Sequence, residues 1–376
     1  LVRTRECIIA HHFCRHDDTR KRDPKHVVCS IAYQLAEQLP AYREKLENMG
    51  LTPESLSGNV AAIFDKLLRE PLSTIDAPKG PRRIVLIDAL DECDHGGNND
   101  LLQCIRTHFL ELPTWLAFFM TTRPEVDIVK ALGKFHPEPL VAGSDRNMKD
   151  IRLYIGDSLR ERLPAEHLEE GIRILAEKSK GVFIYARYAV EQLNPQDIIS
   201  LDELREFPDG ITEFYDKQFE RLLGDSYADI TNASPTWRVI QAVIAACEPL
   251  HQKALEYLVE CTENERKRTV AKLSLLFPIR DGCLHVFHKS VKDWLVDKER
   301  EDEDCHVNLK KEHIFLGQQC KKVLETASEM DDAEEMREAS KYALKHGVTH
   351  LCAGGLSKHA RELMFRFEWL LERAKL

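Results

Sequence analysis

The sequence predicts an α/β fold in which a doubly wound parallel sheet is followed by helical and winged-helix domains. Three observations predict it. Apolar runs alternate with helical periodicity over the first 145 residues, helical periodicity dominates from residue 146 onward, and a hairpin pattern interrupts it at 273–288. At about 150 residues per domain, a chain of 376 residues is long enough for two or three domains with buried cores.

The first elements are a strand and two helices. The apolar run CIIAHHF at 7–13 is typical of a short strand, and the polar segment RHDDTRKRD follows it as a turn. Asp23 before Pro24 predicts an N-cap and a first-turn proline, and apolar residues at helical spacing extend this helix to about Leu46. A second helix is predicted over about 53–70, and 71–83 is predicted to be a loop.

The run IVLIDAL at 84–90 predicts the central strand of the sheet. It is apolar apart from Asp88, and it lies between a Pro/Gly-rich loop and an acidic cluster. Such a run is typical of a parallel strand covered on both faces. A helix over about 99–110 and a second buried run, WLAFFMTTR at 115–123, continue the alternation of strand and helix.

Beyond about residue 143 the strand signals fade and helices are predicted over 146–162, 165–179 and 182–193. Within 273–288, an apolar run, an Asp-Gly turn and a short alternating strand predict a hairpin. Together with helices predicted at 235–247 and 251–260, the hairpin indicates a winged-helix domain. The predicted domains are a sheet domain at 1–145, a helical domain at 146–225, the winged helix at 226–298 and a helical connector at 299–376.

Composition excludes several classes of protein. The chain is 43% hydrophobic and 31% charged, which is ordinary for a globular protein. Its net charge of −10 has the wrong sign for a main partner that is nucleic acid or an anionic membrane. No apolar stretch approaches the roughly 20 residues of a membrane-spanning helix. The eleven cysteines are scattered without a CxxC pair, so we expect reduced thiols and a cytoplasmic location.

Three carboxylates follow the predicted central strand. In IVLIDALDEC at 84–93, Asp88, Asp91 and Glu92 come at the carboxyl end of the strand, where open α/β sheets bind ligands. One carboxylate there suits Mg²⁺, which takes few protein ligands besides waters and phosphates. A second can orient or deprotonate an attacking water. The alternative is that this acidic cluster only opens the next helix.

A second signal is TTRPE at 121–125, at the end of the next buried strand. Arg123 is placed to reach a γ-phosphate or to report nucleotide state to a neighbouring domain. The alternative is that Arg123 pairs with Asp91 or Glu92. The segment HHFCRH at 11–16 also holds three histidines and a cysteine. Since strand side chains alternate between faces, these cannot converge on one zinc ion.

Together these residues resemble the NACHT class of signal-transduction ATPases, which are P-loop NTPases. In that class a Walker B strand carries an acidic pair three residues after its first Asp, as Asp88, Asp91 and Glu92 do here. KSKGVFIYARYAVEQL at 178–193 and EFPDGITEFYDKQFERL at 206–222 resemble the helical segments that follow the core. FHKSVKDWL at 287–295 resembles the end of the winged helix, where a His contacts the β-phosphate of ADP, and His288 matches that position. YALKHGVTHL at 342–351 resembles the linker that precedes WD40-type repeats.

The resemblance implies a switch controlled by ATP and ADP that oligomerises with its own kind on activation. It implies that Asp88 holds Mg²⁺, that Asp91 and Glu92 are catalytic in slow ATP hydrolysis, and that Arg123 and His288 bind nucleotide. It also implies protein partners through an N-terminal effector domain and C-terminal repeats outside this sequence.

The sequence departs from the class at one motif. No G-x-x-x-x-G-K-[ST] phosphate loop occurs in the 376 residues, and in the class that loop comes just before the strand predicted at 7–13. We therefore expect the loop to precede Leu1, and residues 1–376 alone to bind nucleotide poorly. The rival hypothesis is a non-enzymatic scaffold that keeps the fold without nucleotide chemistry. DNA binding by the winged helix is disfavoured, because its helices carry few basic residues and the run ENERKR at 263–268 also contains acids.

Overall fold

The computed structural model describes residues 7–52, 54–93, 99–193, 198–224, 234–274, 276–301, 305–326 and 333–374. The chain divides into two compact units, Leu1–Pro137 and Glu138–Leu376. The first is a mixed α/β unit with a small parallel sheet, and the second is mostly helical.

The first unit is built on a parallel sheet with the strand order β1-β2-β3. Its strands are β1 (Ile8–Phe13), β2 (Arg83–Asp88) and β3 (Leu116–Met120). Its helices are α1 (Pro24–Gln38), α2 (Pro40–Asn48), α3 (Val60–Phe64), α4 (Glu70–Ser73), α5 (Asp100–His108) and α6 (Val126–Leu132). The predicted strands at 7–13, 84–90 and 115–123 are thus confirmed, with the second as the central strand.

The two faces of this sheet differ in burial. Val85 and Ile87 of β2 are fully buried in the core that the helices share. On the opposite face Leu86 is only half-buried, and Phe13 and Phe119 on the flanking strands are 49% and 59% exposed. The prediction that the central strand is covered on both faces is therefore wrong for the described residues.

The helix predicted from Pro24 to about Leu46 is two helices. Pro40 has no N–H to donate, and a residue before proline avoids helical angles. Leu39 accordingly adopts φ −124° and ψ 95°, and α2 begins at Pro40. The helix predicted over 53–70 is also divided: a 3₁₀ turn at Glu54–Leu56 precedes α3, and a π-helical turn at Asp65–Arg69 joins α3 to α4.

The second unit contains helices and a small antiparallel sheet. Its first helices are α7 (Asp145–Leu159), α8 (Ala165–Lys178), α9 (Phe183–Gln192), α10 (Leu201–Arg205) and α11 (Gly210–Leu223). Next come α12 (Pro235–Ala245), β4 (Leu250–His251), α13 (Leu255–Leu258), α14 (Glu263–Leu273), β5 (Ile279–Arg280), β6 (Cys283–Leu284) and α15 (Lys289–Leu295). The last helices are α16 (Leu309–Thr326), α17 (Glu334–Ala353), α18 (Ser357–Met364) and α19 (Phe367–Arg373). The helices predicted at 146–162, 165–179 and 182–193 are confirmed.

The predicted hairpin is also confirmed. β5 and β6 are antiparallel and joined by Asp281 and Gly282, whose φ angles of 50° and 76° are those of a primed hairpin turn. β4 pairs with β6 to complete a sheet in the order β4-β6-β5. Across the residues described in both units, no helix has the length and apolar character that crossing a membrane requires.

Candidate functional site

The candidate site lies where β2 ends, between the ends of its two neighbours. After Asp88 the chain turns sharply, because Ala89 adopts left-handed angles, φ 56° and ψ 51°. A 3₁₀ turn, Leu90–Glu92, follows at once. Left-handed angles cost a non-glycine residue about 1 kcal/mol or more, so neighbouring bonds must hold this turn. The turn brings Asp88, Asp91 and Glu92 to one edge of the sheet.

Thr121, the residue after β3, holds the first carboxylate and the turn together. Its hydroxyl donates to Asp88 Oδ1 at 2.5 Å and accepts from the Ala89 N–H at 3.0 Å. Its backbone pairs with β2 as well, since its N–H donates to Ile87 O and its carbonyl accepts from Leu90 N–H. Asp88 is therefore oriented by a side chain from the adjacent strand.

Asp91 is buried and pairs with Arg123. Its side chain is only 3% exposed. Asp91 Oδ1 accepts the backbone N–H of Arg123 at 3.0 Å, and Asp91 Oδ2 lies 3.6 Å from Arg123 Nε of the guanidinium. The Arg123 side chain is 36% exposed. The pairing of Arg123 with Asp91, considered above as an alternative, thus occurs in this structure, and it places the guanidinium beside the carboxylates.

Glu92 is held from the other side, by the turn after β1. Glu92 Oε2 accepts the His16 backbone N–H at 3.0 Å and lies 3.0 Å from His16 Nδ1. Behind the turn, Asn99 caps α5 through Leu102 N–H and donates to Leu90 O at 3.1 Å. Residues from β1, β2, β3 and the start of α5 therefore build one cluster.

His288 belongs to the second unit, whereas Asp88, Asp91, Glu92 and Arg123 belong to the first. His288 is the N-cap of α15, and its Nδ1 accepts the Ser290 N–H at 3.2 Å and lies 2.6 Å from Ser290 Oγ. Ser290 Oγ in turn lies 2.8 Å from Tyr215 Oη on α11. In its own unit His288 thus ties the start of α15 to α11.

The predicted alternation of side chains along 11–14 is confirmed. His12 and Cys14 are buried on one face of β1, while His11 and Phe13 are exposed on the other. Burial lowers the pKa of His12, and its Nε2 lies 2.9 Å from Lys21 O. No group of three or more His, Cys, Asp or Glu side chains suited to a metal ion was found in the described part of the chain.

Sequence reasoning missed His16 and Thr121 as site residues. Thr121 lay inside the TTRPE segment, and its position at the end of a predicted strand was the available signal. His16 lay in a turn that appeared only as a polar connection, and no local pattern marked it. Chemically, the cluster offers the Asp88 carboxylate to a cation that takes its other ligands from phosphates and waters, a carboxylate for hydrogen bonding to water, and a guanidinium for an anion.

Comparison with known proteins bears on this first unit. Residues 2–123 match the family model described as nephrocystin 3, N-terminal, which spans about one third of the chain. The matched range contains β1, β2 and β3 and ends at Arg123. No curated protein matches the chain. The segment that carries Asp88, Asp91, Glu92 and Arg123 is therefore similar to the N-terminal part of nephrocystin 3.

Proposed function

We propose that this chain is the core of a NACHT-type P-loop signalling switch that responds to ATP and ADP and oligomerises on activation. One observation supports this most: three carboxylates and an arginine cluster at the carboxyl end of the central strand of a parallel sheet. That edge is where open α/β sheets bind ligands. The similarity of residues 2–123 to a family model is compatible with the proposal but does not specify nucleotide chemistry.

The carboxylates suit Mg²⁺ by their chemistry, because Mg²⁺ prefers oxygen ligands and binds through one or two carboxylates plus phosphates. Asp88 would hold the ion, since Thr121 fixes its Oδ1 and it sits at the strand tip. When bound, the ion would neutralise charge on the nucleotide phosphates.

The neighbouring residues would orient the reactants. Glu92 would accept a hydrogen bond from the attacking water, and Asp91 would hold Arg123 beside the phosphates. The ion pair with Asp91 keeps the Arg123 guanidinium near the end of β2 before any ligand arrives, which would lower the conformational-entropy cost of binding.

The order of helices and strands in the second unit supports the proposal of a switch. From α12 to β6 the chain runs helix, strand, two helices and a two-stranded hairpin, which is the order of a winged helix. His288 follows this hairpin at the start of α15. In the proposed ADP state His288 contacts the nucleotide, and exchange for ATP releases the winged helix so that the protein oligomerises. Such a shift requires different contacts in the two states.

A non-enzymatic scaffold is the second candidate. One observation favours it: both Asp91 and Glu92 already have protein partners. A scaffold of this kind would keep the cluster because it fixes the turn after β2, and would keep protein partners without hydrolysing nucleotide.

Rates of ATP hydrolysis by the full-length protein separate the two. We expect Glu92→Gln to lower turnover by about a hundredfold, because the amide is a poor base. Asp88→Ala should raise the Mg²⁺ concentration needed for half-maximal turnover by about tenfold or more, because it removes the proposed ligand of the ion. Glu44→Gln, an exposed carboxylate on α2, is the matched control and should leave the rate unchanged. Absence of hydrolysis in the parent would support the scaffold, whereas equal rates in the parent, Asp88→Ala and Glu92→Gln would overturn the roles proposed for these carboxylates.

A further inference from the structure

Two hydrogen bonds from one residue reach the same oxygen of Glu92. The backbone N–H of His16 and its ring Nδ1 both lie 3.0 Å from Glu92 Oε2. The two side chains are 18% and 17% exposed, so water competes little for these bonds. Bonds to ionised groups in such surroundings are stronger than bonds between neutral groups.

The bonding pattern assigns the tautomer of His16. A carboxylate only accepts hydrogen bonds, so Nδ1 must carry the proton. His16 Nε2 is buried and has no hydrogen-bond partner among the described residues. A proton on Nε2 would therefore be a buried donor without an acceptor, which is costly. The Nδ1–H tautomer of His16 is therefore the one that fits these contacts.

His16 is itself held in place by the sheet and by its own turn. Two residues earlier, the Cys14 N–H donates to Asp88 O at 3.0 Å and extends the pairing of β1 with β2. Arg22 Nη1 donates to His16 O at 3.0 Å and fixes the far side of the turn. The ring thus reaches Glu92 from the turn that follows β1.

We propose that His16 is the positioning residue for Glu92, an inference that rests on the function proposed above. Two bonds to Oε2 fix the plane of the carboxylate, and with it the direction in which Glu92 meets the attacking water. A purely structural role, in which His16 only joins the turn after β1 to the turn after β2, predicts different kinetics.

The bond itself is tested without any activity, by ¹⁵N NMR of this chain labelled at histidine. The His16 signals are assigned by their loss in His16→Asn. We expect the Nδ1–H tautomer in the parent, and a shift toward Nε2–H in Glu92→Ala, which removes the acceptor. An Nε2–H tautomer in the parent, or a spectrum that Glu92→Ala leaves unchanged, overturns the assignment.

The positioning role is tested by turnover in the full-length protein. His16→Ala keeps the backbone bond and removes the ring, so we expect turnover to fall by about tenfold with KM for ATP within about twofold of the parent. His16→Asn places an N–H donor near the Nδ1 position and should restore most of the rate. His11→Ala, at an exposed histidine of β1, should match the parent.

A double-mutant cycle completes the test. Because His16 acts through Glu92, His16→Ala should lower the rate no further in a Glu92→Gln background. Equal losses in both backgrounds, or no rescue by His16→Asn, assign a structural role only. A parent without hydrolysis overturns the proposed function and the positioning role together, while the NMR result still decides whether the bond exists.

Discussion

At the scale of single residues, each carboxylate of the cluster is held by a group from a neighbouring strand. Thr121 after β3 holds Asp88, Arg123 holds Asp91, and His16 after β1 holds Glu92. Spacing along the chain was enough to predict the three carboxylates, because all of them lie within five residues at the end of one strand. Their partners lie more than thirty or seventy residues away, and only the register of the parallel strands brings them near.

Thr121 offers the sharpest residue-scale prediction. Thr121→Val keeps the shape but removes the hydroxyl, which leaves Asp88 Oδ1 and the Ala89 N–H without their bonds to Thr121. We expect the free energy of unfolding to fall by about 1–3 kcal/mol, measured by denaturant titration. Thr121→Ser keeps the hydroxyl and should lose less than about 1 kcal/mol. Equal midpoints for the valine variant and the parent would show that the hydroxyl contributes nothing.

At the scale of elements, most predictions that the structure confirms depend on sequence patterns within a few residues of each other. The helices at 146–162, 165–179 and 182–193 and the hairpin at the Asp281–Gly282 turn depend on short-range patterns, and all are confirmed. The break at Leu39 was missed although its cause, Pro40, is local, because the apolar spacing continues across it. A proline can open a second helix without disturbing the apolar stripe.

A glutamine side chain covers the outer edge of β1, and no local sequence pattern predicts this contact. Gln34 on α1 accepts the His11 N–H at 3.0 Å and donates to His11 O at 2.8 Å, as a neighbouring strand would. Gln34→Ala should therefore cost about 1 kcal/mol and uncover an edge that can pair with other chains. We expect a lower unfolding midpoint and faster growth of light scattering. Gln38→Ala, an exposed residue of the same helix, is the control, and identical scattering of the two variants would contradict this role.

The turn between α8 and α9 depends on glycine for two reasons. Gly181 has φ +80°, and a Cβ there would lie 2.0 Å from the Ala142 carbonyl oxygen. Asn147 Nδ2 also donates to Gly181 O at 2.7 Å. Gly181→Ala should lower the free energy of unfolding by more than about 3 kcal/mol, because backbone atoms must move.

Gly355 provides the matched control for that prediction. Its φ of +82° is nearly the same, but nothing lies within 4 Å of a Cβ placed there. Gly355→Ala should therefore cost only about 1 kcal/mol, which is the strain of left-handed angles less the entropy lost by the unfolded chain. If the two variants lose similar stability in thermal unfolding, the cost at Gly181 comes from its left-handed backbone angles and not from the close approach of Ala142.

At the scale of the whole molecule, the sequence predicted a sheet domain followed by helices, and the two compact units have that order. The sequence did not predict that one face of the parallel sheet is partly exposed. An apolar run such as 84–90 reports which residues tolerate burial, whereas actual burial depends on which elements pack on each face. In the second unit, one continuous apolar core extends from Ile151 to Ala343, so the helices around the hairpin share their packing with α16 and α17.

A buried polar network lies within that second unit. Tyr342 Oη lies 2.7 Å from His350 Nε2 and accepts the Cys247 N–H at 3.1 Å, while His350 Nδ1 lies 2.8 Å from His313 Nδ1. Burial, with His313 and His346 nearby, lowers the pKa of His350 to about 3, and burial also lowers the pKa of His313. Burial therefore favours the neutral form of both imidazoles in the folded protein.

This network predicts that stability falls as the pH falls below about 6.5. The unfolded chain protonates His350 near pH 6.5 and the folded chain only near pH 3, so the unfolded state binds more protons between these values. From pH 7.5 to pH 5 this costs about 2 kcal/mol for His350, and His313 acts in the same direction. Glu312 opposes it in part, because burial raises its pKa to about 6 and the folded state then binds its proton first.

The contribution of His350 is isolated by comparing His350→Gln with the parent in denaturant titrations at both pH values. The variant is expected to be less stable at pH 7.5, because it disturbs bonds to Tyr342 and His313. Between pH 7.5 and pH 5, however, it should lose about 2 kcal/mol less than the parent does, since glutamine takes up no proton. Glu312→Gln should do the reverse and make the loss larger. If His350→Gln and the parent lose equal stability over this range, His350 is protonated in the folded protein and the network is not the neutral one that its burial requires.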